Sequence, residues 1–190
     1  EILEVGCLLL DPGQPRMGVL ESLVQPRGAL PLAVQRLTGL CEADVAHAPR
    51  IEAIAGPLTA ALAGRAIIAH NASFERSFLA RYVSPALAGN RYLDTLDLLA
   101  VTHPDAPDLR LETFARELLG AEEQHRALSD ALDTLRVISQ LAARARRGER
   151  RCMVARSALE CFVPEAPWVA LFSDPLAAGM PVSAPAAPSQ

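Results

Sequence analysis

The stretch Ala66-Ile67-Ile68-Ala69-His70-Asn71-Ala72-Ser73-Phe74-Glu75 decides how this chain is expected to fold. Its first four residues form an apolar run that is too short for a helix and typical of a buried strand. Ser73 is a favourable helix N-cap, and apolar residues recur at helical intervals after it. The stretch therefore predicts a buried strand that runs directly into a helix. Asn71 then lies at the end of the strand and Glu75 in the first turn of the helix, a position where ligands bind in α/β folds.

Similar patterns on both sides of this junction predict the rest of the fold. Residues 2–10 and 17–24 are apolar, β-rich runs separated by Asp11-Pro12-Gly13, and they predict an antiparallel hairpin. A further short strand at 91–93 leads into another helix. Periodic apolar residues predict additional helices from Pro31, at 49–63, at 111–119 and at 127–145. This order of elements indicates an α/β or α+β domain, with a mixed sheet flanked by helices.

Length and composition limit the function classes. The chain has 190 residues, of which 51% are apolar, and this is enough for one sizeable domain with an aliphatic core. Its apolar runs are all shorter than the about 20 residues that cross a bilayer, so we expect no membrane partner. The net charge of −4 argues against a protein that coats nucleic acid, but not against an enzyme that binds it at one metal site. The cysteines show no metal-ligand spacing and are typical of reduced thiols in a cytoplasmic protein: Cys7, Cys41, Cys152 and Cys161.

Glu75 has two interpretations. A carboxylate beside the end of a sheet strand can reach a hard metal ion through oxygen. A carboxylate in the first turn of a helix also interacts favourably with the helix dipole, without any ligand. The spacing alone leaves both interpretations open.

A second group of polar residues surrounds the start of the longest predicted helix. His125 precedes this helix, and Asp130 lies in its early part. The carboxylate could hold a metal there, while the imidazole, whose pKa is near neutrality, takes a proton from an attacking water. A histidine beside a helix is more often structural, so this pair by itself leaves both roles open.

Together the two groups of residues resemble the DEDDh exonuclease family, which includes polymerase proofreading subunits of the epsilon type and ribonuclease T. The segment His70–Leu79 resembles the second of the family's three motifs, and His125–Ala131 resembles the third. Leu37-Thr38-Gly39-Leu40 is similar to the family's segment beside the terminal nucleotide, and Leu93-Asp94-Thr95-Leu96 is similar to another recurrent stretch. The resemblance extends over roughly residues 1–142.

This resemblance implies a ribonuclease H-like fold and a 3′-5′ exonuclease that releases nucleoside 5′-monophosphates. It also implies two Mg²⁺ or Mn²⁺ ions about 4 Å apart at the scissile phosphate. Asp130 and Glu75 would be metal ligands, and His125 would be the general base. The substrate would be a single-stranded or frayed 3′ end of DNA, or of RNA. The substrate-binding residues that the resemblance implies are Thr38, Leu40, His70, Asn71 and Phe74.

Two departures from the family pattern keep other functions open. The family's first motif, a DxE carboxylate pair on the first strand, is expected just before Ile2, so we expect that strand to be missing and the chain as given to be inactive. Glu4 falls on the next strand and resembles a structural glutamate of the family. Glu75 stands where the family usually has Asp. The alternatives are a catalytically degenerate binding module and the exonuclease domain of a larger replication or repair protein, associated with a polymerase or with a helicase of the DinG type.

The end of the chain has a different composition. Arginines are concentrated between residues 144 and 151, and six prolines follow between residues 161 and 190. We expect an exonuclease domain over residues 1–147 and an Arg-rich helix end with a Pro/Ala-rich linker or tail over residues 148–190.

Overall fold

A computed structural model of the chain describes residues 1–11, 16–120 and 126–162. Its strands are β1 (Glu4–Leu9), β2 (Gly18–Leu23), β3 (Ile67–Ala69) and β4 (Tyr92–Asp94). The helices are α1 (Leu32–Thr38), α2 (Glu42–Val45), α3 (Ile51–Leu62), α4 (Ala72–Phe78), α5 (Thr95–Thr102), α6 (Leu111–Phe114), α7 (Ala127–Arg146) and α8 (Arg150–Phe162). The turns Leu79–Val83 and Ala115–Leu119 continue α4 and α6 as π-helix, and Pro85–Gly89 is a 3₁₀ turn. These elements confirm the predicted α/β class.

The strands pair in two ladders. β1 and β2 are antiparallel, from Glu4 opposite Leu23 to Leu9 opposite Gly18, as the predicted hairpin requires. The predicted Pro12-Gly13 turn of that hairpin lies outside the described residues. β3 and β4 are parallel, and Ala69 lies opposite Asp94. Both pairings of a mixed sheet are therefore present, but in the described ranges they form two separate two-stranded ladders.

The start of α4 differs from the prediction. Ser73 lies inside the helix, which begins at Ala72. Asn71 precedes it in the left-handed conformation, with φ 64° and ψ 53°, and does not cap the helix with its side chain. Ser73 was expected as the N-cap because serine favours that position. In the structure, the carboxylate of Asp94 accepts the N–H groups at the start of this helix instead.

The main hydrophobic core surrounds α7. Phe114 and Val137 are fully buried there, and Leu99 of α5 packs in the same cluster. α8 contributes Cys152, Ala155 and Leu159 to this cluster. The predicted division of the chain at residue 147 stays a prediction, and residues 163–190 lie outside the described part. Among the helices that are described, none is long and apolar enough to span a membrane.

Gly6 determines how closely α7 approaches β1. A Cβ atom on Gly6 would lie 2.1 Å from the backbone nitrogen of Leu128, a distance that two such atoms cannot share. The absence of a side chain therefore lets the first turn of α7 lie directly on β1. This contact brings Asp130, three residues after the helix start, next to the strands.

Candidate functional site

One groove collects the residues that the motifs predicted. Its volume is about 1440 Å³, and it lies between β1 and β3, with α7, α4 and α1 contributing to its walls. Every described candidate residue lines it: Thr38, Leu40, His70, Asn71, Phe74, Glu75 and Asp130. These residues come from three distant parts of the chain, so their convergence is a property of the fold. His125, the predicted general base, lies outside the described residues.

Asp94 organises the junction between β3 and α4. Its Oδ1 accepts a hydrogen bond from the backbone N–H of Asn71 at 2.9 Å, and its Oδ2 accepts one from Ala72 at 2.8 Å. Oδ1 also accepts from the N–H of Leu96 at 3.0 Å and so caps α5. One carboxylate at the end of β4 therefore satisfies the first N–H groups of two helices. This role of Asp94 was not predicted, although an Asp directly before a predicted helix is a signal for the cap on α5.

A hydrogen bond to Thr95 holds the His70 ring at the same junction. Its Nδ1 lies 3.0 Å from the hydroxyl of Thr95, which is itself buried. Burial lowers the pKa of His70 below its ordinary value, and the nearby charge of Asp94 opposes this effect. We therefore expect a neutral imidazole at pH 7, with a ring orientation that Thr95 sets.

The pKa of the Glu75 carboxyl group is strongly raised in the groove. Burial raises the pKa of Glu75 from its ordinary value of 4.5 to about 7, and the negative charges of Asp94 and Asp130 act in the same direction. Its Oε2 is inaccessible to solvent and has no hydrogen-bond partner among the described residues. An ionised carboxylate in this environment is unfavourable unless a cation neutralises it. Without a cation, the protonated form of Glu75 is therefore favoured up to about pH 7.

Asp130 is held in the groove by the anchored start of α7. The carboxylate of Glu4, whose side chain is only 8% exposed, binds Arg126 with Nη2–Oε1 at 2.8 Å. Its Oε2 accepts a hydrogen bond from the N–H of Ala127, the first residue of α7, at 3.1 Å. Glu4 thus has the structural role that the resemblance implied. Because Asp130 lies in the first turn of this helix, the Glu4 anchor and the Gly6 contact together determine where its carboxylate lies.

Part of the groove lining is apolar and exposed. Phe74 is 52% exposed, and its ring centroid lies 4.3 Å from that of Phe78. The hydroxyl of Thr38 accepts a hydrogen bond from the N–H of Leu40 at 3.3 Å, just after α1 ends. Leu40 is buried, whereas Leu37 is 61% exposed. An exposed aromatic ring beside carboxylates offers a flat apolar surface for a nucleobase.

Glu75 and Asp130 fit a divalent cation only in part. Carboxylate oxygens are suitable ligands for Mg²⁺ and Mn²⁺, and the buried Oε2 of Glu75 is available to one. In the described ranges, however, no three His, Cys, Asp or Glu side chains come together in a way that could hold a metal ion. These two carboxylates would therefore be part of a larger ligand set.

Comparison with known proteins gives the family. A family model for the RNase T type of exonuclease matches residues 1–138. The chain belongs to the RNase T exonuclease family. The match includes the segments His70–Leu79 and His125–Ala131, and it confirms the resemblance that was inferred from them.

Two relatives of this RNase T family member are much longer proteins. A bifunctional exonuclease/endonuclease protein of Mycobacterium tuberculosis is 33% identical over 150 residues, which are 75% of this chain and 23% of that protein. The 3′-5′ exonuclease DinG of Bacillus subtilis is 27% identical over 135 residues, which are 69% of this chain and 14% of that protein. The chain thus spans less than a quarter of the length of either relative.

A solved structure confirms the fold. Exonuclease X, in complex with 5′ overhanging duplex DNA, matches this family member with a TM-score of 0.54 at 21% sequence identity. The match covers 72% of this chain and 80% of that one. At this identity the likeness concerns the fold alone, and the predicted ribonuclease H-like architecture is confirmed.

Proposed function

We propose that the groove hydrolyses the terminal phosphodiester bond at the 3′ end of a nucleic acid strand and releases a nucleoside 5′-monophosphate. The observation that carries this proposal is the pairing of two carboxylates, Glu75 and Asp130, in a groove where burial raises the pKa of Glu75 to about 7. Membership of an exonuclease family gives the reaction class. The 3′-5′ direction rests on the motif resemblance and on the name of the Bacillus subtilis relative.

Glu75 and Asp130 would hold Mg²⁺ or Mn²⁺. When bound, such ions neutralise the charge of the scissile phosphate and stabilise the charge that develops on its oxygens. The extra methylene of Glu75, relative to the Asp that is usual in the family, moves its oxygens outward while the charge stays the same. Because α4 and α7 each hold one of these carboxylates in a first turn, their relative position sets the separation of the two groups.

His125 would act as general base. It takes a proton from the attacking water, whose oxygen forms the new bond to phosphorus as the bond to the 3′ oxygen breaks. The leaving 3′ oxygen then takes a proton from solvent. An imidazole suits this role because its pKa is close to the working pH.

The remaining candidate residues would bind the terminal nucleotide. The exposed ring of Phe74 provides a stacking surface for its base, since stacking on aromatic side chains tolerates any base. Thr38 and Leu40 would contact the nucleotide from the α1 side, and His70 and Asn71 from the β3 side. Recognition of this kind favours a single-stranded or frayed 3′ end, of DNA or of RNA.

A binding module without hydrolysis is the second candidate. The observation that favours it is the incomplete ligand set, since Glu75 and Asp130 are joined by no third metal-ligating side chain in the described ranges. We also propose that the domain works within a longer replication or repair protein, together with a polymerase or helicase module, because it spans only a fraction of its relatives.

The test uses the natural protein. It is incubated with Mg²⁺ or Mn²⁺ and a 5′-labelled single-stranded DNA or RNA oligonucleotide, and a 3′-phosphorylated copy serves as the blocked control. We expect shortening of the labelled strand from its free 3′ end and release of nucleoside 5′-monophosphates. If neither cation supports shortening, hydrolysis is refuted, and retained binding of 3′ ends would establish the binding module instead.

A matched pair of variants tests the carboxylates. Asp130→Asn should lower the rate at least about a hundredfold and weaken Mn²⁺ binding in calorimetry, because a neutral amide does not replace a carboxylate ligand. Asp105→Asn is the control, since the Asp105 side chain is 86% exposed and pairs with Arg151 at 3.1 Å outside the groove. An unchanged Mn²⁺ titration in Asp130→Asn would remove Asp130 from the site.

A further inference from the structure

Helix α4 depends on a contact from outside itself. This helix has seven residues, is described throughout, and buries only Ala72. The first turn of any helix is unfavourable to form, because few hydrogen bonds offset the conformational entropy that it loses. The π-helical turn that continues α4 packs Leu79 and Val83 against a buried cluster around Leu58, so apolar contacts hold the far end of the helix. At the start of α4 only Ala72 is buried, so hydrogen bonds have a large share in holding that end.

The acceptor of those hydrogen bonds is the carboxylate of Asp94. The register of the parallel ladder places Asp94 opposite Ala69, the last residue of β3. From there its carboxylate reaches across the ladder and accepts the N–H groups of Asn71 and Ala72. Asn71 is the one non-glycine residue with positive φ among those described, a conformation that costs free energy unless neighbouring groups hold it.

Glu75 follows three residues after Ala72 and lies in the first turn of α4. A shift or rotation of the helix start therefore moves the Glu75 carboxylate directly. Asp130 is held independently, by Glu4 and Gly6 at the start of α7. The separation of the two groove carboxylates thus depends on one anchor at each helix.

We propose that Asp94 is a positioning residue, which fixes the start of α4 across the β3–β4 ladder and thereby holds Glu75 next to Asp130. This inference rests on the proposed cation site of the groove. Asp94 itself is occupied by three N–H donors and acts through Glu75.

Asp94→Ser separates the two functions of this carboxylate. Serine is a good N-cap and can still accept the N–H of Leu96, so the start of α5 is kept. Its side chain is too short to reach Ala72 on the neighbouring element as well, so the anchor of α4 is lost. Asp94→Asn is the milder variant, because one oxygen remains for Asn71 and Leu96 while the amide group cannot accept from Ala72.

Asp44→Ser is the matched control. Asp44 also accepts a hydrogen bond at the start of a short helix, from the N–H of Cys41 at 2.7 Å, and its removal changes the net charge by the same amount. It does not line the groove. Asp94→Ser should lower the urea midpoint more than Asp44→Ser, because Asp94 accepts three N–H groups and Asp44 accepts one.

Two measurements decide the proposal. Amide hydrogen exchange at Asn71 and Ala72 should accelerate at least about tenfold in Asp94→Ser and stay unchanged in Asp44→Ser. Calorimetry with Mn²⁺ alone should show an affinity at least about fivefold weaker in Asp94→Ser, an intermediate loss in Asp94→Asn and none in Asp44→Ser.

Each outcome has a distinct meaning. If exchange accelerates while the Mn²⁺ affinity of both Asp94 variants equals that of the wild type, Asp94 is only a structural cap and the proposal is wrong. If exchange at Asn71 and Ala72 does not change, Asp94 does not hold α4, and the proposal is also wrong. A wild-type chain that binds no Mn²⁺ would overturn the cation site of the proposed function, and this inference with it.

Discussion

Replacing Glu75 with Gln should stabilise the metal-free protein at pH 8 and leave its stability unchanged near pH 4.5. Burial and two neighbouring carboxylates raise the pKa of Glu75 from 4.5 to about 7 in the folded state. Between these pH values the folded state holds a proton that the unfolded state has lost, so the free energy of unfolding falls as pH rises through this window. Above pH 7 the full cost of an ionised, poorly solvated carboxylate is present, and Gln removes it.

The size of the effect follows from the displaced pKa. The rise of the pKa from 4.5 to about 7 corresponds to at most about 3 to 4 kcal/mol. Glu75 is only partly buried, so screening by solvent reduces the expected gain for Glu75→Gln to about 1–2 kcal/mol at pH 8. With a urea slope of about 2 kcal/mol/M, the midpoint should rise by about 0.5–1 M.

Urea unfolding followed by circular dichroism at pH 4.5 and at pH 8, without divalent cations, measures both values. Glu160→Gln is the control, because Glu160 is exposed on α8 and pairs with Arg156 at 2.7 Å. Adding Mn²⁺ at pH 8 should stabilise the wild type and not Glu75→Gln, since ligand binding to the folded state adds to its stability. An equal difference between Glu75→Gln and the wild type at both pH values would mean that packing, and not charge, causes it, and the reasoning would be refuted.

Two further substitutions test the start of α7. His125→Ala should lower the rate of 3′-end hydrolysis at least about a hundredfold, the usual share of a general base, with an unchanged urea midpoint; nearly full activity would remove His125 from the mechanism. Gly6→Ala should destabilise the fold by about 2–4 kcal/mol, because its Cβ would lie 2.1 Å from the Leu128 nitrogen. Gly56→Ala, inside α3 with open space around it, should instead stabilise by up to about 1 kcal/mol in the same urea titration; similar midpoints for the two glycine variants would contradict the close approach of α7 to β1.

The secondary structure was predictable where a periodic pattern of apolar residues extends over a long segment. The helices α3 and α7 begin and end within two residues of the predicted bounds, because apolar residues at helical intervals extend over their whole length. Gly120 ends the predicted helix at 111–119 in the left-handed conformation, as expected for a helix C-terminus. The helix Glu42–Val45 and the 3₁₀ turn Pro85–Gly89 were not predicted, since four or five residues are too few to show a period.

The sequence predicted candidate residues that line one groove, but not the contacts that hold them there. The motif resemblance named groove-lining residues at the end of α1, at the junction of β3 with α4, and in the first turn of α7. It did not reveal that Asp94 holds the start of α4. The hydrogen bond between Asp94 and Ala72 joins segments that are far apart in the chain, and the spacing of residues within each segment does not depend on it. The expectation that Ser73 caps the helix was wrong for the same reason.

The sequence by itself determined the strand–helix order, the family and the candidate residues of the site, because hydrophobic periodicity and short motifs are local properties of the chain. Only the tertiary structure decided that Glu75 and Asp130 share one groove, that Asp94 and Glu4 anchor their helices, and that burial raises the pKa of Glu75 to about 7. The physical reason is that burial and electrostatic free energies depend on which distant segments pack together. Residues far apart in the chain determine those energies, so they cannot be predicted from a local sequence pattern.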